Sequence, residues 1–305
     1  MNLFKKHRTF ESILPDFLAE KEMSVSHRTM QAYHTHTKVF LAWLKDNGYS
    51  NLSINKINNE IVSKFFIYIG TVKKLDKTTC EKCFLNIRGL FKYAQKREML
   101  NKVPFDLVVL PQKKESKSAD VIRPEHIASL LELIKKEDRQ LFLFCMIEYY
   151  CFIRPGRELR QMKVGDIDLD NGVITVIQDH AKNHKRQLVT IPKQLIDICR
   201  EYGIDTVDKD LYIFGLKGKM AKKPVSVNNM STRFDVFRDR LNLPKTYKLY
   251  SWKHTGATKL HISGISMREL MDQLRHTRLT ATEHYLRLRS GTINERIRDN
   301  FPSPI

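Results

Sequence analysis

Residue types that handle phosphate and protons crowd into one stretch, YSWKHTGATKLHISGISMRELMDQLRHTRLTATEHYLRLR at 250–289. Lys253 and His276 supply charge and protons, and Tyr285 follows His276 by nine residues with a phenol. Such a set suits an anionic substrate. Free N–H groups at a helix start receive phosphate, and lysine and histidine neutralise charge and move protons. A tyrosine becomes a covalent nucleophile when its phenol attacks a polarised centre. Taken in isolation, Tyr285 reads better as a half-buried tyrosine on a solvated basic helix hairpin.

Three consecutive helices must position these groups. Ser251 can cap a first helix that Gly264 stops. Ser266 with Glu269 makes a capping box for a second, whose Met267, Leu270, Met271 and Leu274 share a face. Thr280 with Glu283 opens a third in the same way. The layout puts Lys253 in the first turn of the first helix, His276 just past the end of the second and Tyr285 on the third.

RHTRLTATEHYL resembles the GHSS-then-tyrosine segment that closes the catalytic domain of tyrosine recombinases, the phage and transposon integrase family. His276 matches its histidine and Tyr285 its nucleophile. YSWKHTGATKL lies where the family carries HxLRH-T-x-A-T, with Tyr250 in place of the first histidine and Lys253 in place of the second arginine. Arg275 replaces the usual glycine before His276. Lysine keeps the charge of an arginine without its planar fork, so Lys253→Arg is expected to be mild.

Upstream, CFIRPGRELRQMKVGDIDLDNG is similar to the family's TGLR-x-x-E-L-x-x-L-x-x-x-D-I-D, and Arg154 takes the place of its first catalytic arginine, on a helix start. Here Glu158 follows Arg154 by four residues where the family has three, which makes Arg157 a rival. The apolar run directly before Arg154 favours Arg154. After Asn171-Gly172 the period changes to strands, VITVIQ and QLVTIP, around the turn DHAKNHKR. A lysine on such a tip is ordinarily solvated. By the resemblance, Lys182 is the hairpin lysine that protonates the leaving oxygen.

At 305 residues, two domains are expected. The formal charge is +19, and both parts share it: residues 1–110 hold 18 Lys/Arg against 10 Asp/Glu, and 111–305 hold 35 against 24. Two basic parts suit one long polyanion. The most apolar run, LFLFCMIEYYCFI at 141–153, contains Glu148 and is too short to span a bilayer, so a buried helix is expected. The first residues lack a long apolar run with a cleavage site, which points away from secretion and to the cytoplasm. Cys80 and Cys83 form a C-x-x-C with no second pair at zinc spacing, and they share an apolar face with Ile87, Leu90 and Phe91. Core packing in a reduced state is expected.

Residues 1–110 read as four amphipathic helices, over 9–21, from Ser26 to Asn47-Gly48, over 58–69 and over 76–96. His27, Arg28, His34, His36, Lys38, Lys82, Arg88 and Lys92 lie among or opposite their apolar stripes. The order resembles the SAM-like core-binding domain that the family places ahead of its catalytic domain. A linker is expected over 111–123, and a catalytic domain over 124–305, mostly α with a small antiparallel sheet.

The resemblance implies a site-specific recombinase or integrase with a 3′-phosphotyrosine intermediate, serving a mobile element. Arg154, Lys253 and His276 would hold the scissile phosphate, Lys182 would be the acid and Tyr285 the nucleophile. Its partners would be double-stranded DNA sites synapsed by a homotetramer, with an accessory bending or directionality factor and no membrane. No cofactor or metal is implied, and no H-E-x-x-H, carboxylate cluster or P-loop motif is present in the sequence. Alternatives are a DNA inversion or dimer-resolution recombinase, a catalytically impaired DNA-binding relative, and a type IB topoisomerase, which relaxes supercoils without synapsis.

Overall fold

The computed structural model describes residues 7–112, 119–177, 187–277 and Thr282. The chain divides into two compact units, Met1–Ser116 and Lys117–Ile305. Both are built mainly from helices, and the second adds a small antiparallel sheet.

The first unit is a bundle of α1 (Phe10–Glu22), α2 (His27–Asp46), α3 (Asn59–Thr71) and α4 (Lys77–Lys96). Each helix starts where a short polar side chain accepts an otherwise unpaired amide: Thr9 from Ser12, Ser26 from Thr29, Asn58 from Ile61 and Asp76 from Thr79. Such caps each contribute about 1 kcal/mol. The four helices occur where the apolar spacing predicts them, with ends shifted by a residue or two. Their core is aromatic, with Phe40 edge-on to Phe10 at 4.9 Å and to Phe65 at 4.8 Å. Cys80 and Cys83 are buried in that core, and burial pushes the Cys83 thiol up to about 12, as expected of packing cysteines. The His36 ring meets the Asn86 amide at 2.9 Å and ties α2 to α4. Arg28, His34, Lys38, Lys82 and Lys92 are exposed on these two helices.

The second unit is organised around α6 (Arg139–Cys151), whose residues Gln140–Glu148 are all buried. It is apolar on every side, so it is surrounded: α5 (Pro124–Glu137), α7 (Lys193–Glu201), α8 (Asn229–Arg240) and α9 (Ser251–Ile262) all pack on it. The closest approach is with α9. A Cβ on Gly256 would lie 2.0 Å from the Tyr149 carbonyl oxygen, so only glycine permits that backbone contact. The last helix of the described residues, α10 (Met267–Leu274), buries Leu270 and Leu274 against Phe152 and Ala257.

The sheet runs β1 (Ile167–Asp168), β2 (Val173–Val176) and β3 (Gln187–Thr190), all antiparallel, with Val173 opposite Thr190 and Val176 opposite Gln187. The hairpin strands β2 and β3 occur where the alternation predicts them. The two-residue β1 was not foreseen; its alternation is too short to register. No described helix is long and apolar enough to cross a membrane.

Candidate active site

Arg154 follows α6 directly, and the backbone there is unusual twice. Phe152 closes α6 in the left-handed region, at φ 53°. Residues Pro155–Leu159 then form one π-helical turn, in which the Leu159 amide donates to the Arg154 carbonyl at 3.0 Å. A π turn holds one residue more than an α turn. It absorbs the extra residue of Pro155-Gly156-Arg157 and still turns Glu158 back onto Arg154. The Glu158 carboxylate accepts from the Arg154 amide at 3.1 Å and from its Nη1 at 2.6 Å. Arg157 is exposed, whereas Arg154 is only partly so. The simple helix start expected at Arg154 is therefore this π turn.

Lys253 comes from the first turn of α9. The N-cap is Tyr250 rather than Ser251, whose hydroxyl instead accepts from the Lys248 amide at 3.0 Å. Lys253 is 1% exposed, and its ammonium donates to the Phe152 carbonyl at 2.8 Å. That oxygen belongs to the C-cap of α6, where the helix dipole favours a cation. Burial raises the Tyr250 phenol and the nearby Arg154 guanidinium opposes that shift, while the ring lies edge-on to His254 at 5.0 Å. A hollow of about 340 Å³ opens beside it, with Pro155, Arg238, Lys245 and Lys248 in its wall.

The capping box of Ser266 and Glu269 starts α10 as the sequence predicts. Its C-cap, Arg275, is left-handed at φ 58° and carries His276 just past the helix end. Arg275 Nη2 donates to Glu158 at 2.7 Å and to the Phe152 carbonyl at 3.3 Å. Glu158 is thus held between two guanidiniums, and Phe152 O between two cations. The Gln273 amide takes both main-chain groups of Thr190, accepting from its N–H at 3.3 Å and donating to its carbonyl at 2.8 Å. That bond fixes α10 to β3, the strand that leaves the lysine-bearing hairpin. The His276 Nδ1 lies 2.9 Å from the Thr282 hydroxyl.

These groups shift one another. Burial, then the guanidiniums of Arg154 and Arg275, bring Lys253 down to about 7. Burial, then Lys253, Arg154 and Arg275, bring His276 down to about 4. Burial alone would raise the Glu158 carboxyl, but Arg275 and Arg154 outweigh it and hold it below its ordinary value. Burial pushes the Glu148 carboxyl well up against the opposing pull of Lys253, and neither of its oxygens has a hydrogen-bond partner among the described residues. A lysine and a histidine discharged by burial and by neighbouring guanidiniums are groups that an anion would recharge.

Three of the five residues singled out from sequence, Arg154, Lys253 and His276, gather around Glu158, Phe152 and Arg275. Lys182 and Tyr285 lie outside the described residues. Arg275 and Glu148 have no assigned role in the sequence reading. Arg275 was visible there as a departure from glycine, and Glu148 as one carboxylate inside an apolar run. Among the described residues no group of three or more His, Cys, Asp or Glu side chains is placed to hold a metal.

The phage integrase family matches residues 120–291, and the phage integrase SAM-like domain matches 9–115. A tyrosine recombinase of Pseudothermotoga lettingae is 25% identical over 264 residues, spanning 86% of this chain and 88% of its own length. Tyrosine recombinase XerA of Thermococcus kodakarensis is 26% identical over 250 residues, 82% of this chain and 75% of its own. Among solved structures, the Tn1549 transposon integrase in complex with transposon right end DNA has a TM-score of 0.74 at 15% identity, covering 96% of this chain and 98% of its own. That last likeness is one of fold.

Proposed function

Because the chain belongs to the phage integrase family of tyrosine recombinases, we propose that it cuts and rejoins DNA through a 3′-phosphotyrosine intermediate, for integration or excision of a mobile element. The observation that carries this reading is the convergence of Arg154, Lys253 and His276 on one cluster with depressed Lys and His values. A scissile phosphate is the anion that such a cluster fits. Arg154, Lys253 and His276 neutralise its non-bridging oxygens and stabilise the extra charge of the transition state. The Tyr285 phenol gives its proton to solvent water and attacks phosphorus in line, forming the phosphotyrosine bond as the bond to the 5′-oxygen breaks. Lys182 gives that oxygen a proton. A 5′-hydroxyl of a partner strand reverses the step, and the bond energy is kept, so no cofactor is consumed.

Double-stranded recombination sites are the partners, synapsed by four protomers, with an accessory bending or directionality factor where the element needs one. The basic excess in both parts of the chain supports a hold on DNA by each. The Tn1549 integrase, solved on transposon DNA, supports the mobile-element role. Inversion or dimer resolution uses the same chemistry and differs only in how the two sites are arranged.

A nicked suicide duplex tests the chemistry. Tyr285→Phe should abolish covalent capture and leave DNA binding within about twofold. An adduct that persists in this variant would place the nucleophile elsewhere.

A further inference from the structure

Arg275 is costly where it stands. A non-glycine residue in the left-handed region gives up about 1–2 kcal/mol, and Arg275 adopts φ 58°. Its side chain is 2% exposed, and its Nε and Nη1 are buried without a hydrogen-bond partner among the described residues. Buried donors left unpaired cost stability again. Backbone strain and unspent donors together at one residue call for a functional account. What Arg275 does touch is shared with the site: Glu158 at 2.7 Å, which also holds Arg154 at 2.6 Å, and the Phe152 carbonyl at 3.3 Å, which also holds Lys253 at 2.8 Å.

We propose that Arg275 is a positioning residue of the cleavage site: its guanidinium, set between Glu158 and the Phe152 carbonyl, fixes where Arg154 and Lys253 present their charges. This rests on the recombinase reading of the same cluster. Lysine at 253 is a compact point charge with rotatable donors and cannot fix its own geometry, whereas a guanidinium is a rigid fork. The fork is supplied from the C-cap of α10 instead of from α9. Because it also adjoins His276, one residue sets three cations. The groups facing Lys253 are Arg154, Arg275, His276, Glu158 and Glu148, with the Tyr250 ring 6.0 Å from its Nζ. Removing Arg275 takes away a repelling cation and leaves Glu158 less neutralised, and both effects raise Lys253.

The experiment is cleavage of a nicked suicide duplex by the full chain carrying Arg275→Gly, Arg275→Lys, Lys253→Arg or Lys253→Arg with Arg275→Gly. Arg275→Gly relieves the backbone strain, which offsets part of the loss of its buried ion pair with Glu158. Arg154 still neutralises that carboxylate, and thermal melting measures the variant's folded fraction. Its cleavage at saturating DNA should fall by about tenfold or more with binding little changed. The alkaline limb of its sub-saturating rate should move to higher pH, which a merely structural arginine would not cause. Arg275→Lys should fall between. Lys253→Arg alone, mild by the sequence expectation, should instead be impaired, because Lys253 and Arg275 share the Phe152 carbonyl and two guanidiniums would compete for it. The double variant should return to within about threefold of wild type. Wild-type cleavage by Arg275→Gly, a loss matching only its unfolded fraction, or a double variant whose defects multiply would each overturn the proposal. Full capture by Lys253→Ala would instead overturn the reading of the site itself.

Discussion

The ammonium of Lys253 donates to the Phe152 carbonyl at 2.8 Å, across 101 residues of sequence, and this bond joins the start of α9 to the end of α6. It keeps a cation almost wholly buried beside a helix C-terminus, next to two guanidiniums that repel it. Such a lysine is held ready for an anion. The arrangement leads to predictions that separate chemistry from packing.

Lys253→Ala should slow covalent capture on the order of 10²-fold or more, the loss seen when one donor to a developing oxyanion is removed. Single-turnover rates on a suicide substrate measure it. A rate equal to wild type would remove Lys253 from the site and, with it, the reading of YSWKHT.

DNA binding should take up protons near neutral pH. Lys253 and His276 are cations whose folded values lie below their ordinary ones, so charging them opposes folding. Stability of the free protein therefore rises with pH between about 4 and 6.5 through His276, and between about 7 and 10.5 through Lys253. A bound phosphate reverses both shifts. Calorimetry at pH 7.5 in buffers of different ionisation enthalpy should show an uptake of about half a proton or more per protomer, lost in Lys253→Arg. Proton release on binding would contradict it.

Gly256→Ala should destabilise the second unit by about 3 kcal/mol or more. The new methyl would lie 2.0 Å from the Tyr149 carbonyl oxygen and 3.0 Å from the Phe152 ring, and a backbone oxygen inside a packed helix pair has nowhere to go. Urea denaturation reads the loss. A change within about 0.5 kcal/mol would mean that α6 and α9 do not meet as closely as described.

Glu148→Met should stabilise the protein by about 1–3 kcal/mol, because it replaces a buried carboxyl that has no hydrogen-bond partner among the described residues with an apolar chain of similar length. The same denaturation series checks this. A loss of stability would show that Glu148 has a partner.

Local rules in the sequence determined much of this protein. The polar caps at Thr9, Ser26, Asn58 and Asp76, the capping box at Ser266 and the apolar periodicity placed the helices, because such signals act within one turn of chain. Family spacing singled out Arg154, Lys253 and His276, and the cysteines declared themselves as core by sharing the face of Ile87 and Leu90. Tertiary structure alone decided how those three residues are held. The one-residue excess after Arg154 was legible as a misfit, but its resolution in a π turn depends on Glu158 finding two guanidiniums, one of them 117 residues away. The lysine at 253 was legible as a charge, yet its burial on Phe152 O depends on Gly256 letting α9 approach α6. Arg275 was legible only as a missing glycine. Its strain and its contacts arise where three distant segments meet, and no pattern along the chain encodes a meeting of that kind.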